Sequence, residues 1–376
     1  MHEIFDKVNN RVVSNSSRWT KKKNTIALTI GDSDFSLPPP IRDSLIKRAD
    51  QVLGYENISD SLNDLVIERA YSLYDWKIEK HWIVYLPSIV LGLNLCCRIF
   101  LDKDEKAISE LPVYPPILNA VANANRSLMT LDSHISQDRW GFDFDKFSDL
   151  ARERKLRLFL ICNPQNPLGR SMNREEIERL AEICVENDLL VCSDEMHADI
   201  VFDKRKHFPL ATVGDSISQR TITFMSPSKS HAMSGLGGAF AVIPNDDLRK
   251  RFLSKSKGLI PDLNILTLTA MEVAYAKCDP WVHQMLRYLE ENRNFLMKDL
   301  RKHKGIEIIE PEGTYFLWID FRKTGREHPV EDLLSLGLEL SDGADFGKKG
   351  FLRMNFAGPR SVLREACKII QALLDQ

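Results

Sequence analysis

Short, almost wholly apolar runs constrain this chain more than any other feature: Trp82–Leu86, Leu158–Cys162, Leu189–Cys192, Thr221–Phe224 and Ala239–Ile243. A strand with one wet face alternates apolar and polar residues. An unbroken apolar strand is covered on both faces, as in a parallel sheet sandwiched between helices. Between two of these runs, Ile177, Leu180, Ala181 and Cys184 recur at helical spacing. Asn173, with Glu176 three residues on, marks where that helix starts. Strand, helix and strand in alternation predict an α/β domain with a mostly parallel central sheet flanked by helices. Further on, Asp279-Pro280 reads as an N-cap followed by proline at the first helical position. Val282, Met285, Leu286, Leu289, Leu296 and Leu300 continue one apolar face, and Gly305 is placed to stop it. Such a helix would join two lobes, and shorter strands and helices beyond it predict a smaller α+β domain. The expected division is a large domain over 46–278, with 1–45 and 279–376 forming the second unit.

Composition removes several alternatives. The chain has 376 residues, room for two domains at about 150 residues each. With 43% hydrophobic and 28% charged residues it can bury a sizeable core, which disfavours disorder. A net charge of −2 gives no bulk electrostatic reason to bind nucleic acid or an acidic membrane surface. The longest uncharged apolar stretch, Trp82 to Cys97, is broken by Pro87, Ser88 and Asn94 and falls short of a spanning helix. The opening Met1-His2-Glu3-Ile4-Phe5-Asp6 lacks the layout of a secretory signal. Seven cysteines, an odd number and mostly in apolar runs, predict reduced core thiols and a cytoplasmic protein.

Polar residues that directly follow the buried strands carry the chemical content, because ligands of open α/β sheets bind beyond the carboxyl ends of strands. After Thr221–Phe224 comes Ser226-Pro227-Ser228-Lys229-Ser230-His231. A lysine crowded by hydroxyls can shed its proton, as a Schiff-base lysine must, although the same residues also suit a solvated lysine on a serine-rich turn. Ser193-Asp194-Glu195-Met196-His197 follows Leu189–Cys192. An acid delivered there is costly without a cationic partner, and a protonated pyridine nitrogen would serve. The cluster Asp194, Glu195, His197 and Asp199 admits a metal reading, but no HExxH or CxxC spacing supports it. Asn163-Pro164-Gln165-Asn166-Pro167-Leu168-Gly169-Arg170 makes a rigid turn that fixes an amide side chain, or simply a tight connection. Pro87-Ser88-Ile89-Val90 opens an apolar helix whose free amides suit a phosphate. No GxGxxG or GxxxxGK[ST] pattern indicates a dinucleotide or a nucleoside triphosphate, and Gly235-Leu236-Gly237-Gly238 reads as a packing turn.

Taken in order, these motifs resemble fold-type I pyridoxal 5′-phosphate (PLP) enzymes of the class I/II aminotransferase superfamily. Within it, the chain is most similar to the cystathionine β-lyase-like C–S lyases. The resemblance covers nearly the whole chain. It includes Phe5-Asp6, Asn10-Arg11, Ser14, Ser16, Trp19, Asp32-Ser33-Asp34-Phe35, Gly54-Tyr55, the run from Pro311 to Asp320, and Arg353-Met354-Asn355-Phe356-Ala357. It implies that Lys229 holds PLP as a Schiff base and then removes the substrate's α-proton. Asp194 would keep the pyridine nitrogen protonated, and Asn166 would bond the phenolic oxygen. His197 stands where many relatives place an assisting tyrosine. Tyr114 would stack on the ring, while the Ile89 and Val90 amides and the Ser226 hydroxyl would hold the phosphate. Tyr55 would reach the phosphate of a neighbouring subunit, which implies a homodimer. Arg353 would clasp the amino acid's carboxylate, and Gly31 would border the substrate.

The resemblance thus implies a PLP-dependent carbon–sulfur β-lyase acting on L-cystathionine or a related cysteine S-conjugate. A class I/II aminotransferase shares every one of these residues, and a non-catalytic PLP-binding regulatory protein is the third reading. Gly237, eight residues after Lys229, favours the lyase, since many aminotransferases place a phosphate-binding arginine there and the lyase subgroup does not. Two departures from the subgroup bear on the substrate pocket. Ile30-Gly31 replaces a bulkier lead-in, and Ser88 stands where relatives often carry glycine.

Overall fold

The computed structural model describes residues 3–9, 16–18 and 25–376. Asn10, Arg11, Ser14 and Trp19 of the resemblance lie outside the described residues. The central sheet has seven strands: β1 (Ile83–Leu86), β2 (Lys106–Leu111), β3 (Ser127–Asp132), β4 (Leu156–Cys162), β5 (Leu190–Asp194), β6 (Thr221–Met225) and β7 (Ala239–Val242). Across the sheet they run β1-β7-β6-β5-β4-β2-β3. Only β7 is antiparallel, and it lies between β1 and β6. Flanked by β7 on its other side, β1 therefore points the same way as the parallel strands. The carboxyl ends of β1, β2, β4, β5 and β6 all open at one edge.

The apolar runs are strands because both faces are covered. One core gathers Leu158, Leu160, Cys192, Ile222 and Phe224 with Leu93, Cys96 and Cys97 of helix α1 (Ile89–Phe100). Another gathers Phe159, Ile161 and Val191 with Ile177, Leu180 and Cys184 of helix α2 (Arg174–Glu186). The start signal of α2 is a full capping box. Asn173 Oδ1 accepts the Glu176 amide at 2.9 Å, and a Glu176 carboxylate oxygen accepts the Asn173 amide at 2.8 Å.

Past the sheet, helix α3 (Asp279–Leu300) leads to an antiparallel four-stranded sheet ordered β8-β9-β11-β10. Its strands are β8 (Glu307–Ile308), β9 (Phe316–Asp320), β10 (Ser341–Asp342) and β11 (Phe351–Asn355). A third core joins this sheet and α3 to Phe5, Leu28 and Phe35 from the amino end. The short strand Ile26–Ala27 pairs with Leu338–Glu339 and ties that end in.

Three details differ from the sequence reading. The cap of α3 is Cys278, so Asp279 already lies in the first turn, where its charge favours the helix dipole. The helix ends at Leu300, its last core-facing residue, with Arg301 as C-cap, before Gly305 is reached. The expected boundary at 45/46 falls inside the helix Pro39–Ala49, whose Ile41 packs with Leu62 and Met271 in the large domain's core. No described helix is long and apolar enough to cross a membrane. Among the described residues no group of three His, Cys, Asp or Glu is placed to hold a metal. All seven cysteines are buried and unpaired.

Candidate active site

The carboxyl edge of the large sheet faces β10, β11 and the turn after β10 across a cavity of about 320 Å³. Lys229 reaches it from the loop after β6. Its Nζ donates to the Gly31 carbonyl, and lies 3.4 Å from Ser234 Oγ. Burial lowers its pKa to about 8, and the nearby Arg353 charge adds to this, while Asp32 and Asp194 act in the opposite direction. A substantial fraction of this amine is therefore neutral near pH 8. Tyr315 Oη also donates to the Gly31 carbonyl, at 2.9 Å, so that oxygen is fixed from two sides. A Cβ at position 31 would sit 3.2 Å from the Phe316 ring and 3.7 Å from Lys229 Nζ, which leaves little room beside the amine for a larger residue.

Asp194 ends β5, buried. Its Oδ1 accepts the Met196 amide at 3.1 Å, and no cationic side chain forms an ion pair with it among the described residues. Burial raises its pKa to about 6, against the lowering from the Met196 amide and Lys229. A carboxylate so placed calls for a positive partner.

Arg353 is the counterpart on the opposite wall. It lies on β11, whose register with β9 places it opposite Trp318. Its guanidinium is buried between two aromatic faces, 4.2 Å from the Phe316 centroid and 4.7 Å from that of Phe346. Nη1 donates to Asn166 Oδ1 at 2.9 Å and Nη2 to the Thr29 carbonyl at 2.6 Å, whereas Nε has no partner among the described residues. No carboxylate pairs with it among the described residues, and burial lowers its pKa to about 10. A buried guanidinium without a counter-ion is a carboxylate site awaiting its carboxylate. By accepting from Arg353, Asn166 leaves its amide nitrogen free to donate into the cavity.

His197 is buried edge-on against Tyr315 and Phe316, each with ring centroids 5.5 Å away. Its Nδ1 has no partner, and burial holds its pKa well below the usual value, so the ring is neutral. Tyr114 caps the helix Pro115–Asn123, and burial pushes its hydroxyl up to about 12. Ile89 and Val90 open α1, where the first amides have no helical acceptor, and Ser88 Oγ takes the Leu91 amide at 3.3 Å.

Gly31, Ile89, Val90, Tyr114, Asn166, Asp194, His197, Lys229 and Arg353 thus line one cavity, as the sequence leads one to expect. Two other expected residues lie apart from it, one of them, Tyr55, expected at a neighbouring subunit's site rather than this one. Ser226 lies off that lining. Its hydroxyl donates to the Gly238 carbonyl at 2.6 Å and accepts the Ser228 amide at 3.0 Å, so its only hydrogen is already committed to the Lys229 loop. Tyr55 is fully exposed on this single chain and lines no part of the cavity. Ser341 on β10, with Asp345 and Phe346 on the turn after it, also lines the cavity, and none of the three is expected from the sequence. No local pattern marked them. Only the pairing of β10 with β11 puts Ser341 beside Arg353.

Comparison with known proteins is consistent with this geometry. The family model for class I and II aminotransferases matches residues 23–370. The chain is 28% identical to cystathionine β-lyase PatB of Bacillus subtilis (strain 168), over 98% of this chain and 99% of that protein. The crystal structure of OvoB superposes with a TM-score of 0.96 at 37% identity, covering 98% of each chain. Cystalysin from Treponema denticola, a structure containing pyridoxal 5′-phosphate, does so with 0.94 at 26% identity, covering 99% of this chain and 98% of that one.

Proposed function

The chain belongs to the class I and II aminotransferase family, and from that premise we propose that it is a PLP-dependent carbon–sulfur β-lyase acting on cysteine S-conjugates such as L-cystathionine. One observation carries the reading. A depressed lysine amine, a buried unpaired carboxylate and a buried unpaired guanidinium line a single cavity.

The cavity fits the cofactor on its own evidence. Asp194 lacks a cation that a pyridine nitrogen would provide, and the amides opening α1 lack acceptors that a phosphate would provide. Asn166 retains a donor for a phenolic oxygen, and Tyr114 offers a ring to stack on. When bound, PLP supplies the electron sink that makes loss of an α-proton feasible. The protein supplies the rest. Arg353 binds the α-carboxylate through its fork, kept planar between Phe316 and Phe346. Asn166 and the Thr29 carbonyl orient that fork. Lys229 Nζ, near neutrality and steered by the Gly31 carbonyl, takes the proton from Cα. Asp194 would hold the cofactor's ring nitrogen in its protonated form. With sulfur on Cβ, the Cβ–S bond then breaks and the sulfur leaves as thiolate. Overall, the conjugate and water give a thiol, pyruvate and ammonia.

Position 237 supports the lyase over the aminotransferase. Gly237 has φ +70°, and a Cβ there would lie 2.9 Å from the Pro87 carbonyl oxygen. The phosphate-binding arginine of many aminotransferases would be strained at this point. A homodimer belongs to the same proposal, supported by the exposed Val52, Leu53 and Tyr55. Seven unpaired thiols suit a reducing cytoplasm.

Purified protein with PLP and L-cystathionine should release pyruvate and homocysteine without added keto acid. Amino transfer that requires a keto acid and yields no pyruvate would overturn the lyase assignment in favour of the aminotransferase. A coloured protein inert toward a panel of amino acids would favour the regulatory reading.

A further inference from the structure

Resting on the lyase reading, we infer that Asp345 selects conjugates whose sulfur-side group carries a positive charge. The charges lining the cavity can be assigned one by one. Lys229, Asp194 and Arg353 are occupied by the chemistry described above, and His197 is neutral. Asp345, exposed at the cavity mouth, is the remaining charged residue of the lining, and no hydrogen bond or ion pair engages it among the described residues. Two neighbouring charges are committed elsewhere. Asp342 caps its own turn by accepting the Ala344 amide at 2.9 Å, and Lys348 pairs with Asp132 at 2.7 Å.

The turn that presents Asp345 is held at both ends. Gly343 admits no side chain, since a Cβ would meet the Lys348 and Phe351 carbonyl oxygens at 2.4 Å. Two residues beyond Asp345, the Gly347 position is backed by Leu111, with a Cβ reaching its side chain at 2.9 Å. Phe346 is buried against Arg353, and its carbonyl accepts the Val113 amide at 3.1 Å. Asp345 therefore sits beside the residue covering the carboxylate clasp, on a segment bonded to the loop that carries Tyr114. An amino acid clasped by Arg353 has its Cβ substituent left to occupy the rest of the cavity. There Ile30, Val90, Pro115 and Pro116 give apolar contact and Asp345 gives the negative charge.

The test titrates PLP-loaded protein with S-(2-aminoethyl)-L-cysteine, its near-isostere S-propyl-L-cysteine, and S-carboxymethyl-L-cysteine. Cofactor absorbance reports binding, and pyruvate is assayed separately. The cationic ligand should bind about five-fold more tightly than the neutral one, and the anionic one more weakly, with the spread shrinking as salt rises. Asp345→Asn should remove this order, Asp345→Glu should keep it, and Asp345→Lys should reverse it. Equal binding of all three ligands by the wild type overturns the inference even if each releases pyruvate. The same order seen in binding without pyruvate release upholds Asp345 and overturns the lyase. An Asp345→Asn protein that loses its oligomeric state while keeping the charge order would also overturn the inference, because the residue would then serve an interface.

Discussion

Two layers of charge meet at the edge of the large sheet, and they differ in one respect. Beneath the cavity the buried charges Glu110, Arg170, Glu195 and Asp199 have protein partners. Arg170 forms a bidentate pair with Glu110 at 2.9 and 2.5 Å, and Glu195 meets His207 at 2.7 Å. Asp199 is held by Arg69 at 3.1 Å and by the hydroxyls of Tyr74 and Ser230 at 2.8 Å. Lining the cavity, Asp194 and Arg353 have no opposite charge in an ion pair among the described residues. Asp194 and Asp199 lie five residues apart, and both are buried. Burial raises each, yet Arg69 and its neighbours bring Asp199 down to about 2, while Asp194 stays near 6. The lower layer is complete as folded. The upper layer is complete only when a cation stands against Asp194 and a carboxylate against Arg353, and this distinguishes structure from site.

The sharpest way to break this contrast is Lys229→Ala. Turnover should fall by roughly 10³-fold or more, while the thermal midpoint barely moves, because no ion pair is lost. Comparable losses of activity and stability would move Lys229 into the structural layer. Glu110→Gln should behave in the opposite sense. It strands Arg170 and should cost about 3–5 kcal/mol in denaturant unfolding, with KM for the amino acid little changed in protein that remains folded. Arg353→Lys removes the planar fork and should lower kcat/KM by roughly 10- to 150-fold, mostly through KM.

The last effect is a pH dependence. In cofactor-free protein the folded-state pKa of Asp194, about 6, lies above its unfolded value of 3.8. Between these values the folded state holds the extra proton, so stability falls as pH rises from about 4 to 6. The loss should be on the order of 3 kcal/mol by pH 7. Asp194→Asn should flatten that segment of the profile, and bound cofactor should reduce it. Asp199 has the opposite sign, its contribution being full above pH 3.8 and lost as pH falls toward 2.

The two layers were also unequally legible in the sequence. Strands buried on both faces announce themselves as apolar runs, and whatever follows their carboxyl ends must face the cleft. Lys229, Asp194 and Asn166 could therefore be placed from order alone. Arg353 rested on the family resemblance, because β11 carries no signal of what it faces across a lobe boundary. Ser341, Asp345 and Phe346 lie on a two-residue strand and a short turn, too brief for any periodicity to register. Spacing gives Ser226 a position along the chain but not which acceptor its hydroxyl's single hydrogen will choose. The Gly238 carbonyl took it.

The most direct test of the account is chemical trapping of the cofactor. Protein saturated with PLP, reduced with borohydride and digested, should carry the cofactor's added mass on the peptide containing Lys229 and on no other. A reduced protein with that peptide unmodified, or with the label on a different lysine, would contradict the claim that the cavity's depressed amine is the point of attachment.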